Sequence, residues 1–421
     1  MRRPVLLVAG LAAVTLAAPA SALALSLDEA IALARKSNPE FAIARAQAEG
    51  AKARKAEAEA ARWPSLTVSG ESGQGSLDLG GFFGIGKADV SPRGAQVELR
   101  APLFTGGAVS AAIAAARAEQ SAAEQSVSAA AAGLETRVAE AYVGVQAAER
   151  LLDLARLGDR QAAEILRQAR LRFEKGEIAR TDVDQATAHQ AEARADLARA
   201  TGEVARARAH FHAVVGVAPE TLEPAQPAAP VAASLDDALA QAERTSPQVR
   251  AAADHLRAAE AGVRLAEAER LPSIALAASG STVEDKFFPG YKADGYTVGV
   301  QGRWTLFAGG AINARVAQAR SALRAARAAS EAARANVREG VVSAWSDLEA
   351  ARLMLTASRD RATAAAAALD SVGNEVRVGQ KATLDLLNAE RDRIAADAAV
   401  ILGEGRVVTA ASRLNGLVRG G

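Results

Sequence analysis

The run Gln96-Val97-Glu98-Leu99-Arg100-Ala101-Pro102-Leu103-Phe104-Thr105-Gly106-Gly107 joins two structural periods across a break. Val97, Leu99 and Ala101 alternate with Gln96, Glu98 and Arg100, which is the period of a strand with one apolar and one polar face. Past Gly106-Gly107 a helical period takes over, and no proline interrupts 108–174. Apolar residues at 134, 138, 142, 145 and 152 fall on one helical stripe. A strand therefore runs through a glycine pair into a helix that, at about 1.5 Å per residue, is on the order of 100 Å long.

The same construction returns. Leu306-Phe307-Ala308-Gly309-Gly310 stands 203 residues after Leu103-Phe104-Thr105-Gly106-Gly107. It follows Tyr296, Val298, Val300 and Trp304, which alternate with Thr297, Gln301 and Arg303. That offset also carries Leu134 onto Val337, Tyr142 onto Trp345, Gly176 onto Gly379 and Asp182 onto Asp385. Upstream the offset is 208, taking Ser26-Leu27-Asp28-Glu29-Ala30 to Ser234-Leu235-Asp236-Asp237-Ala238, Pro39 to Pro247 and Pro64 to Pro272. The five-residue change lies between Pro64 and Gly106, where insertions settle in an exposed loop tip.

Each copy reads helix, strand pair, very long helix, return helix. The first repeat, 23–215, holds a helix over 27–61, strands over about 65–79 and 94–104, a long helix over 108–174 and a return helix over 181–214. The second, 234–421, holds a helix over 235–270, strands over about 273–283 and 295–307, a long helix over 311–377 and a return helix over 384–416. Between them, 216–233 contains four of the chain's 13 prolines and reads as a linker.

Composition excludes much. Of 421 residues, 50% are hydrophobic but only 4% aromatic, so a bulky globular core is not indicated. Lys plus Arg number 50 against 49 Asp plus Glu, a formal charge of +1, which leaves no basic footprint for nucleic acid. The absence of cysteine removes disulfides, thiolate metal sites, cysteine catalysis and a lipid-modified N-terminal cysteine. Gly81-Phe82-Phe83-Gly84-Ile85-Gly86-Lys87 fits the start of a phosphate loop, but Ala88 stands where a magnesium-binding hydroxyl is needed. His210 and His212 are two apart on a helix and face different ways. No catalytic arrangement and no cofactor motif is recognisable; the chain does not read as an enzyme.

Arg2-Arg3, the uncharged apolar stretch Val5 to Ala18, and small residues at Ala20, Ala22 and Ala24 form a signal peptide, 1–22, with cleavage after Ala22 or Ala24. The mature chain is exported and has no uncharged apolar run near the ~18 residues a membrane helix requires. Membrane entry would have to use the strands. Ten of the 15 aromatics fall in 63–107 and 271–310, and Trp63, Phe104, Trp304 and Phe307 are candidates for an interfacial girdle. Four strands cannot close a barrel, so closure would require several chains; two would give eight strands, three twelve. The alternative is a soluble periplasmic coiled-coil adaptor or scaffold without a pore.

With its tandem Ser-Leu-Asp-(Glu/Asp)-Ala openings, Asn38-Pro39 and Ser246-Pro247, Trp63-Pro64-Ser65 and Leu271-Pro272-Ser273, the two Leu-Phe-x-Gly-Gly junctions and Leu384-Asp385-Leu386-Leu387-Asn388-Ala389, the chain resembles the TolC-like family of Gram-negative outer-membrane channels. The resemblance spans 26–418. It implies a mainly α chain of long coiled-coil hairpins with four transmembrane strands, and a homotrimer forming a 12-stranded barrel and a 12-helix periplasmic tunnel. It implies an exit duct of tripartite efflux or type I secretion, set in outer-membrane lipid with a large periplasmic part. A periplasmic adaptor (membrane fusion) protein and an inner-membrane transporter of the ABC or RND type would be its partners. The tip turns would lie at Gly176 and Gly379, and the strand–helix junctions at Gly106, Gly107, Gly309 and Gly310. Candidate gate residues at the periplasmic tip are Asp385, Asn388, Arg180, Asp182 and Lys381. Asp385 matches an acidic gate position of the family, whereas Asn388 replaces the next one. Asp182 and Asp385 also suit the N-termini of helices.

Overall fold

The computed structural model describes residues 24–78, 80–81, 86–229 and 232–419. The expected signal peptide at 1–22 lies outside them, as do Leu79, Phe82, Phe83 and the middle of the glycine-rich loop. The first repeat runs α1 (Leu27–Ser37), α2 (Pro39–Ala60), β1 (Ser65–Ser72), β2 (Gly75–Asp78), β3 (Lys87–Val90), β4 (Arg93–Phe104), α3 (Ala108–Glu174) and α4 (Arg180–Val215). The second runs α5 (Leu235–Thr245), α6 (Pro247–Ala268), β5 (Ser273–Glu284), β6 (Lys292–Arg303), α7 (Ala311–Arg377) and α8 (Thr383–Arg419).

Where one helix was expected over 27–61 there are two. Asn38 is extended (φ −71°, ψ 122°) and its Oδ1 accepts from the N–H groups of Glu40 and Phe41, so it caps α2. Pro39 occupies the first turn, where its missing N–H costs nothing, and keeps Asn38 out of the helical region. Ser246-Pro247 divides 235–270 at the equivalent place, with Pro247 in the first turn of α6 but no cap bond from the Ser246 side chain. The expected strand over 65–79 is likewise divided: Gly73 donates to the Pro92 carbonyl (2.9 Å), and beyond that point β2 and β3 form their own two-stranded ribbon. The strand expected to reach 307 stops at Arg303, opposite Ser273, because Pro272 can donate no further ladder bond.

Nor does the proline-rich segment hang free. Leu25 donates to Thr221 O (2.8 Å) and accepts from Glu223 N–H (3.1 Å), and Gln146 of α3 accepts from Ala225 N–H. The Tyr142 hydroxyl, on a fully buried ring, lies 2.7 Å from the carbonyls of both Leu25 and Glu223. This strap closes over one core, where Leu134, Val138, Tyr142 and Val145 of α3 meet Ala30 and Ala34 of α1 and Phe211 and Val215 of α4. Its counterpart packs Val337, Val341, Ala344 and Leu348 of α7 on Ala238 and Ala242 of α5 and Val407, Leu414 and Val418 of α8. Valine and alanine together supply most of both, because helices lying side by side in a thin wall need small contact residues.

The main sheet has the order β1-β4-β5-β6, all antiparallel. The helices joined to those strands pack in the same order, α2 on α3, α3 on α6, and α6 on α7. The chain is thus one segment of wall, strands continuing into helices, with β1 and α2 along one free edge and β6 and α7 along the other. Farther from the sheet the wall continues as two hairpins, α3–α4 and α7–α8, joined by α3 against α8.

Candidate functional site

Residues paired across a sheet share a face. Leu66, Leu99, Ala278 and Val298 form one register row across the four strands, and Val68, Val97, Gly280 and Tyr296 form another. Between these rows lie Thr67, Glu98, Ser279 and Thr297. One face is therefore apolar and yet open, with Leu66, Val68, Val298 and Val300 each about two-thirds exposed. The other face carries Gln96, Glu98, Arg100, Gln301 and Arg303. Trp63, Phe104, Trp304 and Phe307 cluster where sheet gives way to helix, all exposed, and the Trp304 indole donates to Arg270 O (3.1 Å).

The passage from strand to helix depends on Gly106 and Gly107, at φ +59° and +87°, and on Gly309 and Gly310, at +56° and +85°. Gly106 is doubly constrained: a Cβ there would sit 2.7 Å from Leu271 Cβ and 3.0 Å from Ala268 O at the end of α6.

At the far end the two tip turns have the same build. Gly176 (φ +76°) donates to Phe173 O while Glu177 donates to Arg172 O; Gly379 (φ +77°) donates to Val376 O while Gln380 donates to Glu375 O. Each glycine terminates a long helix in the left-handed conformation and satisfies its last carbonyls. Asp182 Oδ2 accepts from Ala179 N–H (3.1 Å), and Asp385 Oδ2 accepts from Ala382 N–H (3.3 Å), so both carboxylates cap the returning helix. Arg180 pairs with Asp184 (3.2 Å) and Lys381 with Glu375 (3.0 Å), while Asn388 is exposed. Every one of these ion pairs stays within its own hairpin. Among the described residues none joins 172–184 to 375–388.

The hairpins do meet higher up, through groups the sequence reading did not select. Glu404 of α8 accepts from Arg150 of α3 (2.6 Å) and Arg359 of α7 (3.2 Å), so one carboxylate ties three helices. Burial pushes this carboxyl up, but the two guanidinium hydrogen bonds outweigh it and hold the group below its ordinary value. Its contribution is present above the ordinary carboxylate range and fades as pH falls through the lowered value. Arg391 reaches Glu192 of α4 (3.3 Å). Beside Glu404, Gly405 lets α8 cross α3 closely, since a Cβ there would lie 2.6 Å from Val143 Cγ1. Leu402-Gly403-Glu404-Gly405 was the available signal: two glycines inside a long helix cost about 1 kcal/mol each relative to alanine and need a packing reason. Glu390 of α8 is buried at 2% exposure, and neither carboxylate oxygen has a hydrogen-bond partner.

Among the described residues no helix is long and apolar enough to cross a membrane, and no three His, Asp or Glu are grouped to hold a metal ion. What the architecture offers is a wall with a wet and a greasy face.

The family model described as outer membrane efflux protein matches residues 30–217 and 238–418. The outer membrane efflux protein BepC of Brucella suis biovar 1 (strain 1330) is 36% identical over 253 residues, which are 60% of this chain and 55% of BepC, so the match spans about half of that relative's length. Among solved structures, a membrane protein from Pseudomonas aeruginosa superposes with a TM-score of 0.82 at 22% identity, over 93% of each chain. The outer membrane protein VceC from Vibrio cholerae does so with a TM-score of 0.80 at 19% identity, over 94% of this chain and 96% of VceC.

Proposed function

Since the chain belongs to the outer membrane efflux protein family, and so is a non-enzymatic outer-membrane channel component, we propose that it is the exit duct of a tripartite efflux or type I secretion system, opened at its periplasmic tip by partner proteins. Membership of this family removes the soluble scaffold. The observation that carries the proposal is the open four-stranded sheet, apolar on one face and polar on the other, with both edges unpaired among the described residues. Lipid does not tolerate an open edge, so β6 pairs with β1 of a second copy while α7 lies against that copy's α2. Three copies close a barrel of 12 strands, and below it the long and return helices form a 12-helix tunnel. The polar face then lines the bore, where Glu98, Arg100 and Arg303 set a weak ion preference. A periplasmic adaptor docks the tip, and an inner-membrane transporter of the ABC or RND type supplies the energy.

The test is direct: the purified full chain in detergent has the mass of three copies and conducts when added to planar lipid films. A monomer that leaves such films silent overturns the proposal.

At the tip, Asp385 serves the gate through its charge as well as its cap, since threefold symmetry turns one lumenal carboxylate into a ring. Asp385→Ala loses both, with about 0.3–1 kcal/mol of helix-terminus stabilisation; Asp385→Asn keeps an acceptor for Ala382 N–H and loses only the charge. Both variants are expected to weaken block by multivalent cations. Undiminished block in the Asn variant would confine Asp385 to capping.

A further inference from the structure

Glu390 lies within the first two turns beyond the Asp385 cap, on the side of α8 that enters the wall. It lines a cleft of about 590 Å³ between α3, α7 and α8, with Leu386 beside it on its own helix. The cleft's charged groups are Arg160 and Glu164 from α3 and Asp370 and Arg377 from α7. They are two cations and two anions, so they bring no net charge to the cleft. Glu164 is already engaged by Arg167 and Gln168, and the next residue of α8, Arg391, turns away to Glu192 of α4. None of them places a donor on Glu390, both of whose oxygens are buried without a partner. An ionised carboxylate in that position is unsolvated and unpaired, whereas a neutral carboxyl is tolerated there.

We propose that Glu390 is a proton-operated latch: neutral, it lets the beginning of α8 dock between α3 and α7; ionised, it drives that part of α8 out of the seam. Burial pushes the Glu390 carboxyl up to about 7. A carboxyl raised in the docked state holds its proton more tightly there than when undocked. Docking is therefore strongest at low pH and weakens as pH climbs from the ordinary carboxylate range to about 7. This is opposite in sign to Glu404, which ties the same helix higher up. The two carboxylates divide α8 into a clamped upper part and a lower part released by deprotonation. The packing claim stands by itself; its consequence for conduction rests on the channel reading above.

The chain has no cysteine, so a single Leu387→Cys substitution, at a buried position one turn before Glu390, reports seam opening without background. The full chain in detergent is labelled with a neutral maleimide, and each rate is divided by that of the same protein unfolded at the same pH. Between pH about 5.5 and about 8 the normalised rate is expected to rise about tenfold. Adding Glu390→Gln holds it at the low value throughout, and Glu390→Leu does the same should the Gln variant fold poorly. A flat profile with Glu390 present, or an equal rise in the Gln and Leu variants, overturns the latch. In planar lipid films, conductance rises over the same pH window and Glu390→Gln abolishes the rise. A labelling profile as expected with films silent at every pH upholds the latch and removes the channel.

Discussion

Val298→Arg is expected to abolish assembly of the chain in the outer membrane, whereas Thr297→Arg, one residue earlier, is expected to leave it intact. The two positions neighbour each other on β6 but belong to different register rows. Val298 completes Leu66–Leu99–Ala278–Val298, and Thr297 completes Thr67–Glu98–Ser279–Thr297. On the apolar face an arginine must enter hydrocarbon, which costs about 2–4 kcal/mol near the midplane of a barrel. In the proposed three-copy barrel that becomes about 6–12 kcal/mol per assembled barrel, the scale of a whole domain's stability. On the polar face the same side chain meets water and lies in the row of Glu98, so only the ion preference shifts. The amount of heat-dissociable oligomer in outer-membrane fractions measures this. Equal amounts from the two variants would mean that the apolar rows do not face lipid.

The register behind that contrast was legible because strand alternation is local: Val97-Glu98-Leu99-Arg100 states its faces without reference to anything else. So were the long helices, since nothing within 108–174 or 311–377 breaks them and each of the four ends lies beside a glycine with positive φ. The divisions at Asn38-Pro39 and Ser246-Pro247 were also written locally, as a cap residue followed by a first-turn proline, but alanine-rich composition on both sides conceals them. The strap over Tyr142 was less accessible. Prolines report that 216–233 cannot be a helix or an inner strand, but not that Leu25 lies beside it to bond with. At the tip, the candidate charges lie where helix reversal puts them, yet their partners are near neighbours in sequence, and composition could not tell a cap from a contact between hairpins. Glu390 was invisible for a different reason. In Ala389-Glu390-Arg391-Asp392 it reads as one more solvated helical charge, and only the convergence of α3, α7 and α8 makes it buried.

Gly405 is where that convergence is most constrained, and the second large effect is expected there. A Cβ at 405 would lie 2.6 Å from Val143 Cγ1, closer than two carbons can approach, and Val143 is itself buried. Gly405→Leu therefore has to force α8 off α3, a core overpacking that costs about 1–3 kcal/mol per chain. The same change at Gly202 of α4, with nothing within 4 Å, gains helix propensity and costs nothing. Val143→Ala removes the obstructing methyls, so the double variant recovers most of the loss in denaturant unfolding, and the coupling between the two sites has the sign of a relieved clash. A Leu variant as stable as the parent, or one that Val143→Ala fails to rescue, would mean that the crossing is not close in solution. The consequence reaches farther along the helix. Glu390 lies 15 residues before Gly405, about 22 Å along α8, and the Glu404 tie adjoins the wedge. Prising the helices apart at 405 loosens that tie and takes the clamp from the upper part of α8. The pH-dependent labelling at Leu387 then rises at every pH, because a helix no longer held above gives less resistance to leaving its seam below.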